Sequence, residues 1–408
     1  SIGRNFHIAV DEENEDLEKI YKTFNLPFKG KKTLKPAESE NIFVENYNSI
    51  NEVDSQLWDS LFKDNGNYSH NGLRCIEEIF SNNEKVEENW GFHYLIIKDE
   101  NNEILLATFF TSALCKDDMF ALENISRKIE KQREEEPYYL CSKTLTMGSL
   151  FTEGEHLYVK GEHSLINETF NQFFIEIEKL KKATDSTVVI LRDFQSHFQF
   201  NECFENEGFV KVSMPNTNII KNPKWETSND LMELIKSRKK RDNIKQYAIR
   251  HLDKFDIKIK NQITDEEAIQ YFDLFTNVKK ANYSFNFFSY PKKMAKILSQ
   301  YDEWEFIEIS LKENDQVVAV VFGYIGDDHY SPLIVGLDYD YIDTHHIYKQ
   351  AMFQMVKRGN DLNKKNTYLG LTADFEKQKY LALTVPIWAY MKVDETYNLE
   401  LIDAYSNI

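Results

Sequence analysis

The pattern of apolar and polar positions occurs twice along the chain. Residues 90–98 read WGFHYLIIK, and residues 304–312, about half a chain later, read WEFIEISLK. Each segment leads into an acidic turn that contains Asn and then into a second apolar run, at 104–110 and at 317–324. Two extended runs joined by such a turn are typical of an antiparallel hairpin. We therefore expect one β-hairpin in each half of an internally repeated fold.

The other predicted elements follow the same order in both halves, with helical spacing of apolar residues between short apolar runs. In the first half we expect strands at 42–47, 156–159 and 187–191, strands near 209 and 219, and helices at 54–62, 73–80, 165–182 and around 198–205. In the second half we expect strands at 255–259, 330–335, 367–371 and 387–393, and helices at 265–278, 291–298 and 342–358. This order predicts an α+β fold in which each half is a mixed, mostly antiparallel sheet with flanking helices.

The repeat also predicts the domain organisation. Residues 1–40 form an N-terminal extension, residues 41–222 the first domain and residues 223–408 the second. The first domain carries an insertion near 111–155, whose charged run at 127–136 predicts a surface helix before Pro137.

Charge is unevenly distributed along the chain. The 408 residues include 49 Lys and Arg against 67 Asp and Glu, which gives a net charge of −18. This excess argues against a DNA partner and disfavours tRNA, because phosphate binding needs a basic surface. The exception is the segment 236–250, whose acidic residue is Asp242 and whose basic residues are Lys236, Arg238, Lys239, Lys240, Arg241, Lys245 and Arg250. Such a segment either attracts an acidic donor molecule or balances the neighbouring acids Asp230, Glu233 and Asp253.

Composition narrows the class of protein further. No apolar stretch is long enough to predict a transmembrane helix, and no N-terminal run resembles a signal peptide. The four cysteines lack the paired spacing of metal ligands and the density of a disulfide framework. We therefore expect a cytoplasmic protein with buried free thiols and no metal site.

Three local patterns carry a resemblance to a known family. They are the basic helix at 237–250, the strand and turn from Leu369-Gly370 to Asp374, and the segment EKQKYLA at 376–382. Together with the element order, they resemble the GNAT acyltransferase superfamily over about residues 41–405. The tandem arrangement is similar to FemABX-type aminoacyl transferases and to the predicted N-acyltransferases called BioF2-like. The resemblance implies two tandem GNAT-like domains, with the second one catalytic.

The chain departs from this family at one motif. Members that use acetyl-CoA have a glycine-rich loop after the fourth strand, whose backbone N–H groups hold the pyrophosphate. Residues 160–166 and 336–346 stand at that position without the glycine spacing. The sequence therefore does not establish acetyl-CoA as the donor, although FemABX-like relatives also lack the glycine pattern and acyl transfer stays open. The resemblance implies a thioester donor, acyl-CoA or acyl carrier protein, as co-substrate and no tightly bound cofactor.

The N-terminal piece carries a weaker resemblance. Residues 3–21 are similar to the last strand and helix of pyridoxal-phosphate α-oxoamine synthases. This similarity implies a fused or partner α-oxoamine synthase, whose product carries an amine. The alternative is an ordinary strand and helix packed on the first domain.

The resemblance and the chemistry of amide formation together select candidate site residues. Acyl transfer to an amine needs a base, a polarised carbonyl and an acid for the leaving group. The candidate catalytic residues are Asp374, Glu376, His345, His346 and Tyr348. The candidates for donor or phosphate binding are Lys377, Lys379, Arg238, Lys239, Arg241 and Lys245. The candidates for a second site are Arg192, Asp193 and His197, because Asp193 and Asp374 follow equivalent strands.

Three functions remain open at this stage. The first is an N-acyltransferase that moves an acyl group from a thioester to a small-molecule or lipid-like amine. The second is a FemABX-like transferase that uses aminoacyl-tRNA. The third is a non-catalytic GNAT-like docking module of a larger or fused enzyme.

Overall fold

A computed structural model of the chain describes residues 41–161, 163–281 and 285–394. The strands are β1 Ile42–Tyr47, β2 Gly91–Asp99, β3 Ile104–Lys116, β4 Cys141–Met147, β5 Leu157–Val159, β6 Val188–Phe194, β7 Val210–Ser213, β8 Thr217–Lys221, β9 Phe255–Lys260, β10 Trp304–Leu311, β11 Val317–Ile325, β12 His329–Leu337, β13 Asn366–Leu371, β14 Leu383–Val385 and β15 Trp388–Val393. The α-helices are α1 Ser55–Phe62, α2 His70–Ile79, α3 Glu123–Arg133, α4 Ile166–Ala183, α5 Asn201–Asn206, α6 Ser228–Leu234, α7 Arg238–Tyr247, α8 Asp265–Ala281, α9 Met294–Leu298, α10 Ile342–His345, α11 Ile347–Asp361 and α12 Asp374–Lys377. The predicted N-terminal extension, 1–40, lies outside the described residues.

Both predicted hairpins are confirmed. β2 pairs antiparallel with β3, so that Phe92 faces Thr111, and β10 pairs antiparallel with β11, so that Phe306 faces Phe322. All of β10 and nearly all of β11 are buried, because helices and the neighbouring half cover both faces of the sheet. The predicted α+β class is also confirmed, since each half combines a mixed, mostly antiparallel sheet with helices.

The two sheets exchange strands between the halves of the chain. The first sheet has eight strands in the order β1-β2-β3-β4-β6-β15-β7, with β5 paired to β3. The second has seven strands in the order β14-β8-β13-β12-β11-β10-β9. β15 therefore lies inside the sheet of the first half, and β8 lies inside the sheet of the second half. The division of the strands between the two sheets therefore does not coincide with the predicted domain boundary between residues 222 and 223.

Each sheet has one parallel pair of strands that separates. β12 and β13 are paired only at His329 with Asn366 and at Tyr330 with Thr367. β4 and β6 are paired at three positions, from Thr144 with Val188 to Thr146 with Ile190. Beyond these positions the strands diverge, so their carboxyl ends are free to line a site.

The insertion differs from its prediction in one respect. The expected helix is present as α3, but the predicted insertion also contains β4, a strand of the first sheet. α3 is not purely a surface helix either, because Arg133 is buried and donates hydrogen bonds to Asp118 and Glu130. The long helix predicted at 342–358 is broken into α10 and α11 at His346, which has a positive φ of 55°.

A single apolar core joins the halves. It contains aromatic side chains of α1, α2, β2 and β3 together with those of α8, β10 and β11. Phe151, in the loop between β4 and β5, contacts Tyr290 and Trp304 of the second half at ring-centroid distances of 5.1 and 5.9 Å. This packing fixes the loop at 148–156 against the carboxyl end of β13.

Candidate functional site

The carboxyl ends of β6 and β13 meet at the loop 148–156. Glu153 of this loop lies against Gly370 of β13, where an added Cβ would be 3.0 Å from Glu153 Oε1. Glu153 as a residue is partly exposed, but its Oε2 atom is buried and has no hydrogen-bond partner among the described residues. Burial raises the pKa of Glu153, although the nearby Lys377 ammonium acts to lower it. A carboxyl group with a raised pKa at a strand end is suited to accept a proton near neutral pH.

Lys377 is a buried lysine whose pKa is lowered toward neutral pH. It is buried, and its Nζ donates hydrogen bonds to the carbonyl oxygens of Gly370 and Leu371, at 2.9 and 2.7 Å. Burial lowers the pKa of Lys377 to about 8, while Glu153 and Asp374 act to raise it. The predicted role of Lys377 in phosphate binding stays a prediction, and its position favours proton transfer instead.

The end of β6 holds a second set of buried polar groups beside Glu153. Arg192 Nη2 lies 3.1 Å from Asp193 Oδ2, and His156 Nδ1 lies 3.6 Å from the same oxygen. His156 Nε2 is 2.9 Å from Thr152 Oγ1. Burial raises the pKa of Asp193 and lowers that of His156 well below its ordinary value, so the imidazole is neutral. We call Glu153, His156, Arg192, Asp193 and Lys377 the strand-end cluster.

The strand-end cluster contains several unpaired polar atoms. Glu153 Oε2, His156 Nδ1 and Arg192 Nε are buried without a hydrogen-bond partner among the described residues. The Asp193 carboxylate is buried as well, and its close partner is the Arg192 guanidinium, 3.1 Å from Oδ2. Such atoms are rare in folded proteins, and each calls for an explanation. Asp193 also has a positive φ of 68°, a conformation that costs energy and is common at functional sites.

The turn after β13 is similarly strained. Gly370, Thr372 and Ala373 have φ angles of 76°, 62° and 52°. The turn leads into α12, whose first residue is Asp374, and Asp374 accepts hydrogen bonds from the side-chain amides of Asn216 and Asn218 at 2.7 and 2.8 Å. Asp374 is therefore held by Asn218 of β8 and by Asn216, which precedes that strand. The N-cap residue of α12 is Ala373 and not Asp374.

Glu376 lies at the centre of a group of lysines. It accepts hydrogen bonds from Lys349 of α11 and from Lys379, the latter at 2.6 Å. Burial acts to raise the pKa of Glu376, but these two lysines outweigh burial and lower it. Lys240 of α7 donates to the carbonyl oxygen of Gln378 at 2.8 Å, so the basic helix packs beside this group. Glu376 is thus an ionised partner of lysines rather than a free base.

The predicted histidines lie on the far side of the same lysine group. His346 is the residue in the break between α10 and α11, and its ring centroid lies 4.9 Å from Tyr247 and 5.3 Å from His251. His345 contacts Tyr341 at 5.2 Å. Tyr348 is half-buried, and burial raises its pKa to about 12. The structure places these three residues together, apart from the strand-end cluster.

The predicted basic residues of α7 divide into two sets. Arg238, Lys239 and Lys245 are exposed, whereas Arg241 donates to the carbonyl oxygens of Ile235 and Lys236 and so holds the start of the helix. The second-site candidates also separate. Arg192 and Asp193 are buried together, but His197 is exposed and pairs with Glu155 at 3.0 Å.

The sequence pattern singles out neither Glu153, which joins the two halves at this site, nor His156, whose contacts lie in the first half. Both belong to the segment TEGEH at 152–156, a polar run at the end of the predicted insertion and the start of the strand predicted at 156–159. A polar run between apolar segments is the sequence signal for such residues. Lys349 is not among the predicted site residues, because its pairing with Glu376 depends on the packing of α11 against α12.

Comparison with known proteins places the fold. Residues 238–373 match a protein family described as an acetyltransferase (GNAT) domain. The chain contains a GNAT domain. A crystal structure of FemX superposes on the chain with a TM-score of 0.55 and 9% identity, over 88% of this chain and 99% of that one. The family match agrees with the GNAT-like fold expected for the second half, and the superposition shows that most of the chain shares the fold of FemX.

Two further structures are similar to this chain at lower scores. L-PGS from Bacillus licheniformis has a TM-score of 0.47 and 8% identity, over 86% of this chain and 96% of that one. A tandem GNAT protein from the clavulanic acid biosynthesis pathway has a TM-score of 0.46 and 7% identity, over 86% and 98%. No curated protein matches the sequence. Within the described residues, no helix is long and apolar enough to cross a membrane.

Proposed function

We propose that this protein is an N-acyltransferase that moves an acyl group from a thioester to an amine, with Glu153 and Lys377 as its acid–base pair. The observation that carries the proposal is the position of this pair at the carboxyl end of β13, where β12 and β13 diverge. Their environments move the two pKa values toward neutrality from opposite sides. Such a pairing is how one site supplies a base and an acid at the same pH.

The proposed reaction uses Glu153 as the base for the amine and Lys377 as the acid for the leaving group. Ionised Glu153 first accepts a proton from the ammonium of the acceptor, and the free amine attacks the thioester carbonyl carbon. A C–N bond forms, and the C–S bond then breaks. The Lys377 ammonium protonates the leaving thiolate and takes up the second proton of the nitrogen. The products are an amide and a thiol, and Glu153 returns its proton to solvent.

The donor is proposed to approach from the lysine group around Glu376. Lys349, Lys379 and the exposed residues of α7 make this side of the second half positive in a chain of net charge −18. A phosphate-bearing thioester donor is attracted by that field. Acyl-CoA and acyl carrier protein both meet this requirement, and the proposal includes no tightly bound cofactor. The protein is proposed to act in the cytoplasm, where both donors are found.

The test is a thiol-release assay with an acyl thioester and a panel of small and long-chain amines. We expect Glu153→Gln and Lys377→Met each to lower kcat by about a hundredfold or more, which is the usual contribution of a general acid or base. Glu155→Gln is the matched control, because Glu155 lies in the same loop but pairs with His197 at the surface. Full activity in both Glu153→Gln and Lys377→Met, with folding intact, would contradict the site.

A second candidate is aminoacyl transfer from tRNA, which is favoured by the exposed basic side chains of α7. Binding of bulk tRNA measured at two salt concentrations distinguishes it, since phosphate contacts weaken steeply as salt rises. Absence of turnover with every thioester and of tRNA binding would instead favour the non-catalytic docking module.

A further inference from the structure

The exposed side of α7 concentrates the unpaired positive charge of this region. Among the described residues, its one ion pair is that of Arg238 with Asp242, at 3.5 Å with both side chains mostly exposed. Lys239 and Lys245 are exposed and have no carboxylate within 4.0 Å in the described parts of the chain. Exposed ion pairs of this kind stabilise little, so the charges do not serve the fold.

Among the described residues, the neighbouring acids Asp230, Glu233 and Asp253 form no ion pair with this helix. Asp230 is used in the capping box of α6, where it accepts from the backbone N–H of Thr227 at 2.8 Å. Lys240, on the inner side of α7, is turned to the carbonyl oxygen of Gln378. The positive charge on the outer side is therefore available to a partner.

An exposed aromatic side chain lies on the segment beside α7, because Lys240 of α7 donates to Gln378 and Phe375 is three residues before Gln378. Phe375 of α12 is 69% exposed, and the buried Lys379, which pairs with Glu376, places its Nζ 4.6 Å from the centre of the Phe375 ring. Phe375 is two residues from Lys377, on the same short helix. We call Arg238, Lys239, Lys245 and Phe375 the docking face.

We infer that the docking face binds an acidic acyl carrier protein, which presents the acyl group as a thioester on its prosthetic arm. The inference rests on the proposed acyl transfer and names its donor. Positive side chains along a helix of about 15 Å are spread too widely for the phosphates of one small molecule, but they match an acidic helix of a protein partner. An exposed aromatic among charges is typical of a protein interface rather than of phosphate binding. α12 then leads from the docking face to Lys377.

The first experiment measures binding by the full chain without any requirement for catalysis. The probe is octanoylated acyl carrier protein of a bacterial type II fatty acid synthase, followed by fluorescence polarisation. We expect the double variant Lys239→Glu/Lys245→Glu, and separately Phe375→Ala, to weaken Kd by about tenfold or more. The matched control is Lys131→Glu/Lys182→Glu, which makes the same charge change at exposed sites of the first half and leaves Kd within about twofold.

The second experiment compares donors in the thiol-release assay. We expect the charge-reversed variant to raise KM for the octanoylated carrier by about tenfold or more and to raise KM for octanoyl-CoA by about twofold or less, because the carrier contacts the helix over a wider area. An equal rise in KM for both donors, or no effect of either variant on carrier binding, overturns the inference. Loss of tRNA binding in the variant, with no carrier binding by the unchanged chain, overturns it in favour of a nucleic acid. Carrier binding with the expected pattern but without turnover keeps the docking face and rejects the acyl-transfer proposal.

Discussion

Lys377 shows how the site is built at the scale of single residues. A buried ammonium costs free energy unless it is paired, and Lys377 is held by two carbonyl oxygens and by the nearby carboxylate of Glu153. Its pKa of about 8, against an ordinary value of 10.5, means that folding stabilises its neutral form. A residue that weakens the fold in this way is retained for chemistry rather than for stability.

This pKa predicts a pH dependence of stability. Between about pH 8 and 10.5 the unfolded chain binds the Lys377 proton and the folded chain does not, so the free energy of unfolding rises with pH. Relative to Lys377→Met, the unchanged protein should gain up to about 3 kcal/mol across that window, at about 1.36 kcal/mol per pKa unit. Urea unfolding of both proteins at several pH values measures the difference.

The comparison has an internal control at an exposed lysine. Lys182→Met removes a lysine from the last turn of α4, where the side chain is in water. Its difference from the unchanged protein gives the baseline for removing a lysine from the surface. A difference for Lys377→Met that follows the same course with pH as this baseline would contradict the lowered pKa of Lys377.

At the scale of elements, the strained turn after β13 positions the side chains of Glu153 and Lys377. Gly370 combines a positive φ of 76° with the close approach of Glu153. The turn also supplies both carbonyl oxygens that hold Lys377. Backbone strain is thus localised where the two halves contribute one residue each to the proposed acid–base pair.

We predict that Gly370→Ala separates activity from folding. A methyl group at this φ costs about 1–2 kcal/mol of stability, and it displaces the Glu153 carboxylate, so kcat should fall by about tenfold or more. The measurements are thiol release and urea unfolding of the same preparations. Gly161→Ala is the control, because no described atom lies within 4 Å of its added Cβ. Equal activity of the two variants would contradict the proposed role of the turn.

The elements also show how much the sequence could predict. The hairpins, α4, α8 and α11 follow from periodicity and from the repeat, because local pattern decides them. β4 is not predicted, because Cys141–Met147 has only three apolar residues and lies inside a segment interpreted as an insertion. Asp374 is a candidate because it follows a strand, and Lys377 because the segment 376–382 resembles the GNAT family, whereas Glu153 comes from the other half. Its contribution depends on tertiary packing that no local pattern specifies.

At the scale of the whole molecule, the exchange of β8 and β15 makes the two halves one structural unit. β15 pairs with β6 on one side and with β7 on the other. The first sheet is therefore continuous only when residues 388–393 are in place between these two strands. β8 joins β13 to β14 in the same way. Neither half completes its sheet from its own residues.

This exchange predicts a single unfolding transition. Calorimetry of the full chain should give one cooperative peak, since the loss of either sheet removes a central strand from the other. Residues 41–222 and 223–408 expressed separately should fail to give the circular dichroism and elution of a folded domain, and their co-expression should restore a complex. Two separate transitions, or a folded isolated half, would contradict it.

The exchanged strands also limit how substrates reach the site. Two lobes joined by a single linker can rotate apart, but here rotation would break the hydrogen-bonded ladders of β8 and β15. For the proposed reaction we therefore expect acceptor and product to pass by small movements of the loop 148–156 and of the turn after β13. We expect the same segments that position the proposed acid and base to limit the exchange of substrate and product, and thereby turnover.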